Sequence, residues 1–262
     1  MLKLFRYLTS PTGKDTQNSE VQDGFVYVPE VEPPDLFVDI KPNSILGNSI
    51  DTPPWIVVDR TLQSIVLARW PGRIWAVHIL KSSSNQPKSY AGYTRATCVK
   101  VLHEVRLSEL FEHNGPAVLG FLDQVSTLKN CEAENLGRTR DEDAARIYNQ
   151  VWDRWLEKFD PASIYAGNDH KGVIRIGHKP PVSPVGNALS VLQSQLSNRA
   201  REIYGDDAFV IEDDEISLNE TWLAIADNLH HALFSIGAGD DLVSTEERII
   251  LARTWNEAKS AE

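Results

Sequence analysis

Residues able to do chemistry gather directly after one short apolar run. Trp55-Ile-Val-Val58 has the β-branched and aromatic content of a buried strand, and Asp59, Arg60, Thr61 and Ser64 follow it. A carboxylate, a guanidinium and two hydroxyls at a strand end can hold a phosphate or orient a ribose, and they equally make an ordinary polar turn. His78 lies inside the next apolar run, Ile74 to Ile79, and Tyr93 and Arg95 lead into a third stretch, Thr97 to Val105. Near the start of the chain, Arg6 stands among apolar neighbours in Leu4-Phe-Arg6.

Other chemistries find less support. His230 and His231 are adjacent on a predicted helix, so they point about 100° apart and cannot chelate one ion as an i, i+4 pair does. His170 and His178 near Asp169 are a metal-ligand set by type but follow no recognised spacing. The acidic stretch from Asp206 to Glu215 lacks the glycine and the alternating ligands of a calcium loop. No Gly-x-Ser-x-Gly elbow occurs. Gly13-Lys14 has Leu8 and Asp15 where a phosphate loop needs a glycine and a hydroxyl. Cys98 and Cys131 form neither a zinc spacing nor a disulfide framework, and Cys98 reads as a small core residue.

The elements that must position these groups are strands and short helices over residues 1–130. Strands are predicted for Leu2 to Leu8, Phe25 to Val28, Leu36 to Ile40, Trp55 to Val58, Ile74 to Ile79 and Thr97 to Val105. A short helix carrying Leu62, Ile65, Val66 and Ala68 is predicted between the central pair and ends at Pro71-Gly72. The spacing of Val118, Leu119, Leu122 and Val125 predicts a helix over 117–128, and the polar residues 129–140 mark a boundary. The rest, 140–262, reads as a mainly helical acidic domain: Ile147, Val151 and Trp155 share one helical face, Leu189, Leu192 and Leu196 another. Val173 to Ile176 and Ala208 to Ile211 read as short strands. Ser217-x-x-Glu220 and Ser244-x-x-Glu247 fit capping boxes opening a final helical hairpin across Gly237-Ala-Gly-Asp-Asp. The fold class expected is α+β, a β-rich mixed N-terminal domain followed by a helical part.

Charge divides the chain at the same place. Residues 1–140 hold 15 acidic and 15 basic side chains, whereas 141–262 hold 22 and 11 and so carry the whole net charge of -11. An acidic surface repels nucleic acid and anionic membrane and attracts basic proteins. No apolar run approaches the ~20 residues of a membrane span, and the N-terminus has no secretory pattern, so the expected location is the cytoplasm.

Asp59-Arg-Thr61-Leu62 with Ala68, followed by Arg73-Ile-Trp-Ala-Val-His-Ile79, resembles the polar-triplet segment and adjoining strand of the ADP-ribosyltransferase superfamily. Tyr93-Thr-Arg-Ala96 before Val99-Lys-Val-Leu-His-Glu-Val105 is similar to the strand near which that family carries its last catalytic residue. The resemblance covers at most residues 1–125. It implies a transferase using NAD on an acceptor, with Arg6 gripping the dinucleotide phosphates, Asp59, Thr61 and Ser64 on the ribose, Tyr93 packing on the nicotinamide, and His78 or Arg95 assisting. Such a reaction passes through an oxocarbenium-like state, which fixed dipoles and an aromatic wall stabilise. Ala96-Thr97-Cys98 stands where that family has Glu-x-Glu, and no acidic residue follows until Glu104. The alternative of a different class is a non-enzymatic binding protein: an inhibitor or immunity-type partner of a basic protein, or an assembly subunit, acting through its acidic C-terminal half over residues 206–247.

Overall fold

The computed structural model describes residues 23–29, 40–47, 55–65, 67, 70–86, 93–158, 164–165, 175–176, 183–212 and 215–260. They form two compact units, Met1–Leu107 and Ser108–Glu262. The first is β-rich and the second helical, an α+β chain. Among the described residues no helix is long and apolar enough to cross a membrane. Arg6 and the strand expected at Leu2 to Leu8 lie outside the described residues, as does most of Leu36 to Ile40.

The first unit is a small closed barrel of antiparallel strands β1 (Asp23–Pro29), β2 (Ile45–Gly47), β3 (Ile56–Asp59), β4 (Gly72–Ser82) and β5 (Tyr93–Val105). β1 pairs with β4 from Asp23↔His78 to Pro29↔Gly72 and meets β3 at Phe25↔Asp59. β5 pairs with β4 along one edge, while β3 and then β2 follow each other along its other edge. Joining β3 to β1 closes the ring. At that seam the backbones approach so closely that a Cβ on Gly24 would sit 2.5 Å from Val58 Cγ1 and 2.7 Å from the Asp59 carbonyl oxygen, so only glycine fits.

Alternation decides which side chains fill the barrel. Val58, Trp75, Val77, Ile79, Ala96, Val99 and Val101 form its buried interior, with Val26, Val28, Leu46 and Ile56 packed against them. The step from Ala96 to Val99 breaks the period of two because the β4 register jumps from Lys81↔Cys98 to Ser82↔Ala96. The extra residue, Thr97, is buried and its hydroxyl donates to the Lys81 carbonyl (3.4 Å), as a bulge residue must find a partner off the ladder. Of the helix expected over Leu62 to Ala68, the described residues show a 3-10 turn, Leu62–Ser64, which Ile65 leaves with extended backbone and buried; Val66 and Ala68 lie outside the described residues.

The change of unit falls at Leu107/Ser108, earlier than residue 130. After a 3-10 helix, Leu107–Asn114, come α1 (Gly115–Ser126), α2 (Asn130–Arg138) and α3 (Glu142–Glu157). Two-residue strands β6 (Ile164–Tyr165) and β7 (Arg175–Ile176) pair with each other before α4 (Ala188–Tyr204). A hairpin of β8 (Phe209–Glu212) and β9 (Glu215–Leu218) precedes α5 (Glu220–Gly237) and α6 (Thr245–Ser260). α5 packs against α1, α2, α3, α4 and α6. Its buried residues, from Trp222 through Asn228 to Phe234, cover most of its circumference and leave a stripe through Leu223 and Asp227 exposed, as a helix near the centre of a bundle requires.

The polar stretch 129–140, expected to mark a boundary, thus holds α2. Ala133 and Leu136 face inward beside Glu132, whose carboxylate accepts from the Lys129 N–H (2.8 Å) and from Lys259 Nζ of α6 (2.8 Å). The capping box at Ser244 forms: its hydroxyl accepts from the Glu247 N–H (3.3 Å), and Glu247 Oε2 accepts from the Ser244 N–H (2.9 Å). The box expected at Ser217 does not, because Ser217 lies in β9 opposite Val210. α5 is capped two residues on by Asn219, whose side-chain oxygen accepts from the Trp222 N–H (3.0 Å).

Inside the bundle, Asn228 of α5 closes the end of α2: its Nδ2 donates to the carbonyls of Leu136 (2.8 Å), Thr139 (3.1 Å) and Ala224 (3.2 Å). Asn228→Ala leaves those buried acceptors short of a donor and is expected to cost about 1–3 kcal/mol in urea denaturation. Loss below about 0.5 kcal/mol would show that the cap carries no stability.

Candidate functional site

Four of the residues marked by the sequence meet at one end of the barrel. β3 delivers Asp59, whose register partners are Phe25 on β1 and Tyr93 on β5. The chain then turns through Thr61 and Ser64: the Ser64 hydroxyl accepts from the Thr61 N–H (3.2 Å), lies 3.3 Å from Thr61 Oγ1 and donates to the Thr61 carbonyl (2.8 Å). Both hydroxyls are therefore engaged in shaping the turn that follows the strand.

Because Val58, Trp75 and Val77 point into the barrel, Asp59, Tyr93, Phe25 and Ala76 share its outer face. Asp59 is nonetheless only 7% exposed. Burial pushes its carboxyl up to about 7, and a hydrogen bond with Ser64 offsets only part of that. A carboxyl held near neutrality can donate or accept a proton at physiological pH, and such groups concentrate at functional sites.

His78 and Arg95 lie on the same outer face but are committed elsewhere. His78 Nδ1 is 2.7 Å from Asp23 Oδ1, its register partner on β1. The Arg95 guanidinium lies over the Trp55 ring at 4.4 Å and donates to the Asn85 carbonyl (3.2 Å) and side-chain oxygen (3.3 Å). Gln86 completes this corner as a substitute strand residue, accepting from the Arg95 N–H (3.1 Å) and donating to its carbonyl (2.6 Å). Asp59, Thr61, Ser64 and Tyr93 thus come together, His78 and Arg95 serve local contacts, and Arg6 lies outside the described residues.

In the helical unit two features escaped the sequence reading. The first is the environment of His230 and His231 on α5. Tyr148 of α3 stacks on His230 (6.4 Å between ring centres, 10° between planes) and tilts against His231 (5.2 Å), with Phe234 and Trp152 beside it. His230 Nε2 and His231 Nδ1 are buried without a hydrogen-bond partner. Burial holds His230 down to about 4 and lowers His231 as well, against the opposing pull of Asp227 on both and of Asp141 on His231. Asp141 itself caps α3 through the Ala144 N–H (3.0 Å) and takes a two-pronged bond from Arg253 (2.7 and 2.9 Å). Among the described residues no group of three or more His, Cys, Asp or Glu could hold a metal, and His170, Asp169 and His178 lie outside them.

The second is the β8–β9 hairpin, of which the strand expected at Ala208 to Ile211 is β8 and only β9 went unread. Its register pairs Ile211 with Ile216, and these two are 73% and 65% exposed. The base is anchored: the Asn219 N–H donates to the Ala208 carbonyl (2.8 Å), Asn219 Nδ2 donates to the Asp207 carbonyl (2.7 Å), and Arg201 lies over the Phe209 ring at 4.8 Å. Alternation of Phe209 with Ile211 and of Ile216 with Leu218 signals this hairpin in the sequence, once Ser217 is not taken for a cap. No protein-family model, no curated protein and no solved structure matches the chain.

Asp59 and the two buried histidines impose opposite pH dependences. Asp59 keeps in the fold, between about pH 4 and 7, a proton that the unfolded chain has lost, so its contribution falls as pH rises through that window. The histidines stay neutral in the fold, so stability falls as pH drops from about 6.5 toward 4. Asp59→Asn is expected to raise stability by ~1–3 kcal/mol at pH 8 relative to its effect at pH 4, and His230→Leu by a similar amount at pH 5 relative to pH 8. Urea midpoints across pH check both, and a substitution effect independent of pH would remove that group's assigned role.

Proposed function

We propose that the protein is a non-enzymatic binding module that holds a basic protein partner on its acidic helical unit, with the β8–β9 hairpin as the contact surface. The observation that carries this reading is the exposed Ile211–Ile216 pair, two large apolar side chains facing solvent on a hairpin of the acidic unit, with Asp206 and Asp207 exposed at its foot. Water gains by covering such a pair, and carboxylates decide the charge of what covers it. Residues 108–262 carry 27 acidic and 14 basic side chains against 10 and 12 in residues 1–107, so the attraction belongs to this unit. The reading is tested with synthetic peptides alternating Lys and Val or Glu and Val, titrated against the intact chain by NMR at low and high salt. The basic peptide is expected to bind saturably, to weaken with salt, and to lose about tenfold in affinity against Ile211→Ser with Ile216→Ser. A double variant that binds as the parent does would overturn it.

A second reading, an ADP-ribosyltransferase-like protein using NAD, is favoured by the meeting of Asp59, Thr61, Ser64 and Tyr93 at one strand end. On that reading these groups hold the ribose and nicotinamide and Arg6 the phosphates. His78 would have to leave Asp23, and Arg95 would have to leave Trp55 and Asn85, to assist. NAD at ~100 times its Kd should then add about 2.7 kcal/mol of stability, and Thr61→Val should abolish the gain. An unmoved melting temperature at millimolar NAD ends this reading.

A further inference from the structure

We infer that the basic partner docks as an extended strand along the free edge of β8, making the hairpin three-stranded. This rests on the binding reading and specifies the form of the partner. β8 and β9 constitute a two-stranded sheet, and β9 is the neighbour that turns toward α5. The Phe209 N–H is taken by the Asp206 carbonyl. Beyond it, among the described residues, β9 supplies all the backbone hydrogen bonds that β8 makes. Alternate residues of an antiparallel strand turn their N–H and C=O away from the first partner, so the outer edge of β8 presents groups ready for a second.

Three properties select a basic strand over other occupants. Two-stranded hairpins are marginal in water, and a third strand adds a ladder where a docked helix would cover only the isoleucines. Side chains of an added strand fall in register beside Ile211, extending the Ile216–Ile211 row with one more apolar residue. The acidic balance of the unit, 27 acidic against 14 basic side chains, with Asp206 and Asp207 exposed at the foot of the hairpin, favours Lys or Arg at the alternate positions of the added strand and opposes a second copy of this chain on the same edge.

Two nine-residue peptides alternating Lys and Val, equal in charge and side chains, separate the possibilities on the full chain. One is unmodified, and the other is N-methylated at two successive central amides, so that both of its edges lose a donor. The unmodified peptide is expected to bind, to slow hydrogen exchange at the outward-facing Ile211 amide of β8, and to exceed the methylated peptide in affinity by about tenfold or more. Equal binding of the two with no β8 amide protected would overturn strand addition while leaving the binding reading intact. Failure of both peptides at millimolar concentration would remove the binding reading and this inference with it. Peptide-free dimers at micromolar concentration that protect the same amide would assign the edge to a second copy instead.

Discussion

The helical unit depends on burying α5 around most of its circumference, leaving only a stripe through Leu223 and Asp227 exposed. Trp222, Ile225, Leu229 and Leu233 fill one face of it, while Ala224, Asn228, His231 and Ser235 are buried on another and Phe234 is buried further along the helix. No single partner helix covers such a surface, so α1, α2, α3, α4 and α6 must all surround it. The polar groups drawn inside by this packing are satisfied specifically. Asn228 caps α2, and Glu132 is held by Lys259 and the Lys129 N–H, which keep its carboxylate low although burial acts to raise it. The same demand places His230 and His231 against Tyr148 with ring nitrogens left unpaired, a cost that the apolar packing around them outweighs.

Outer-rim ion pairs then tie helices that are far apart in sequence. Arg154 of α3 grips Glu247 at the start of α6 with two bonds (2.5 and 3.0 Å), and Glu247, drawn down to about 2 chiefly by that hydrogen bond, also completes the cap with Ser244. Arg253 reaches from α6 to Asp141, the cap of α3. These pairs tie α3 to α6 through carboxylates that are themselves largely covered, the Glu247 side chain being 19% and that of Asp141 5% exposed.

The barrel obeys a different constraint, closure. A ring this small is filled by its own side chains, and polar chemistry must therefore lie on the rim or the outer face. That is where Asp59, Tyr93, His78 and Arg95 are found, and the β1–β3 seam at Gly24 places Asp59 beside Phe25. The hairpin of the helical unit escapes both constraints. It is anchored at its base by Asn219 and Arg201, and its isoleucine pair meets no wall of the bundle.

Much of this was legible in residue order because local physics decided it. Strong apolar periods located α3, α4, β3 and the hydrophobic part of β5, and the Ser244 box located the start of α6. Of the candidate site, the polar cluster after Val58 was visible as a change in residue type at a strand end. Pairing was not. Whether Asp59 faces Tyr93, whether Arg95 lies on Trp55, and whether residues 129–140 are linker or helix depend on partners tens of residues away, which composition does not encode. Ser217 shows the limit most clearly: its spacing to Glu220 satisfies a cap, yet cross-strand pairing with Val210 takes it into a sheet. Sequence alone thus determined the elements whose own side-chain period specifies them, and the asymmetry of charge. Tertiary structure decided which polar groups are buried, paired or left open, because desolvation and register exist only once distant segments meet.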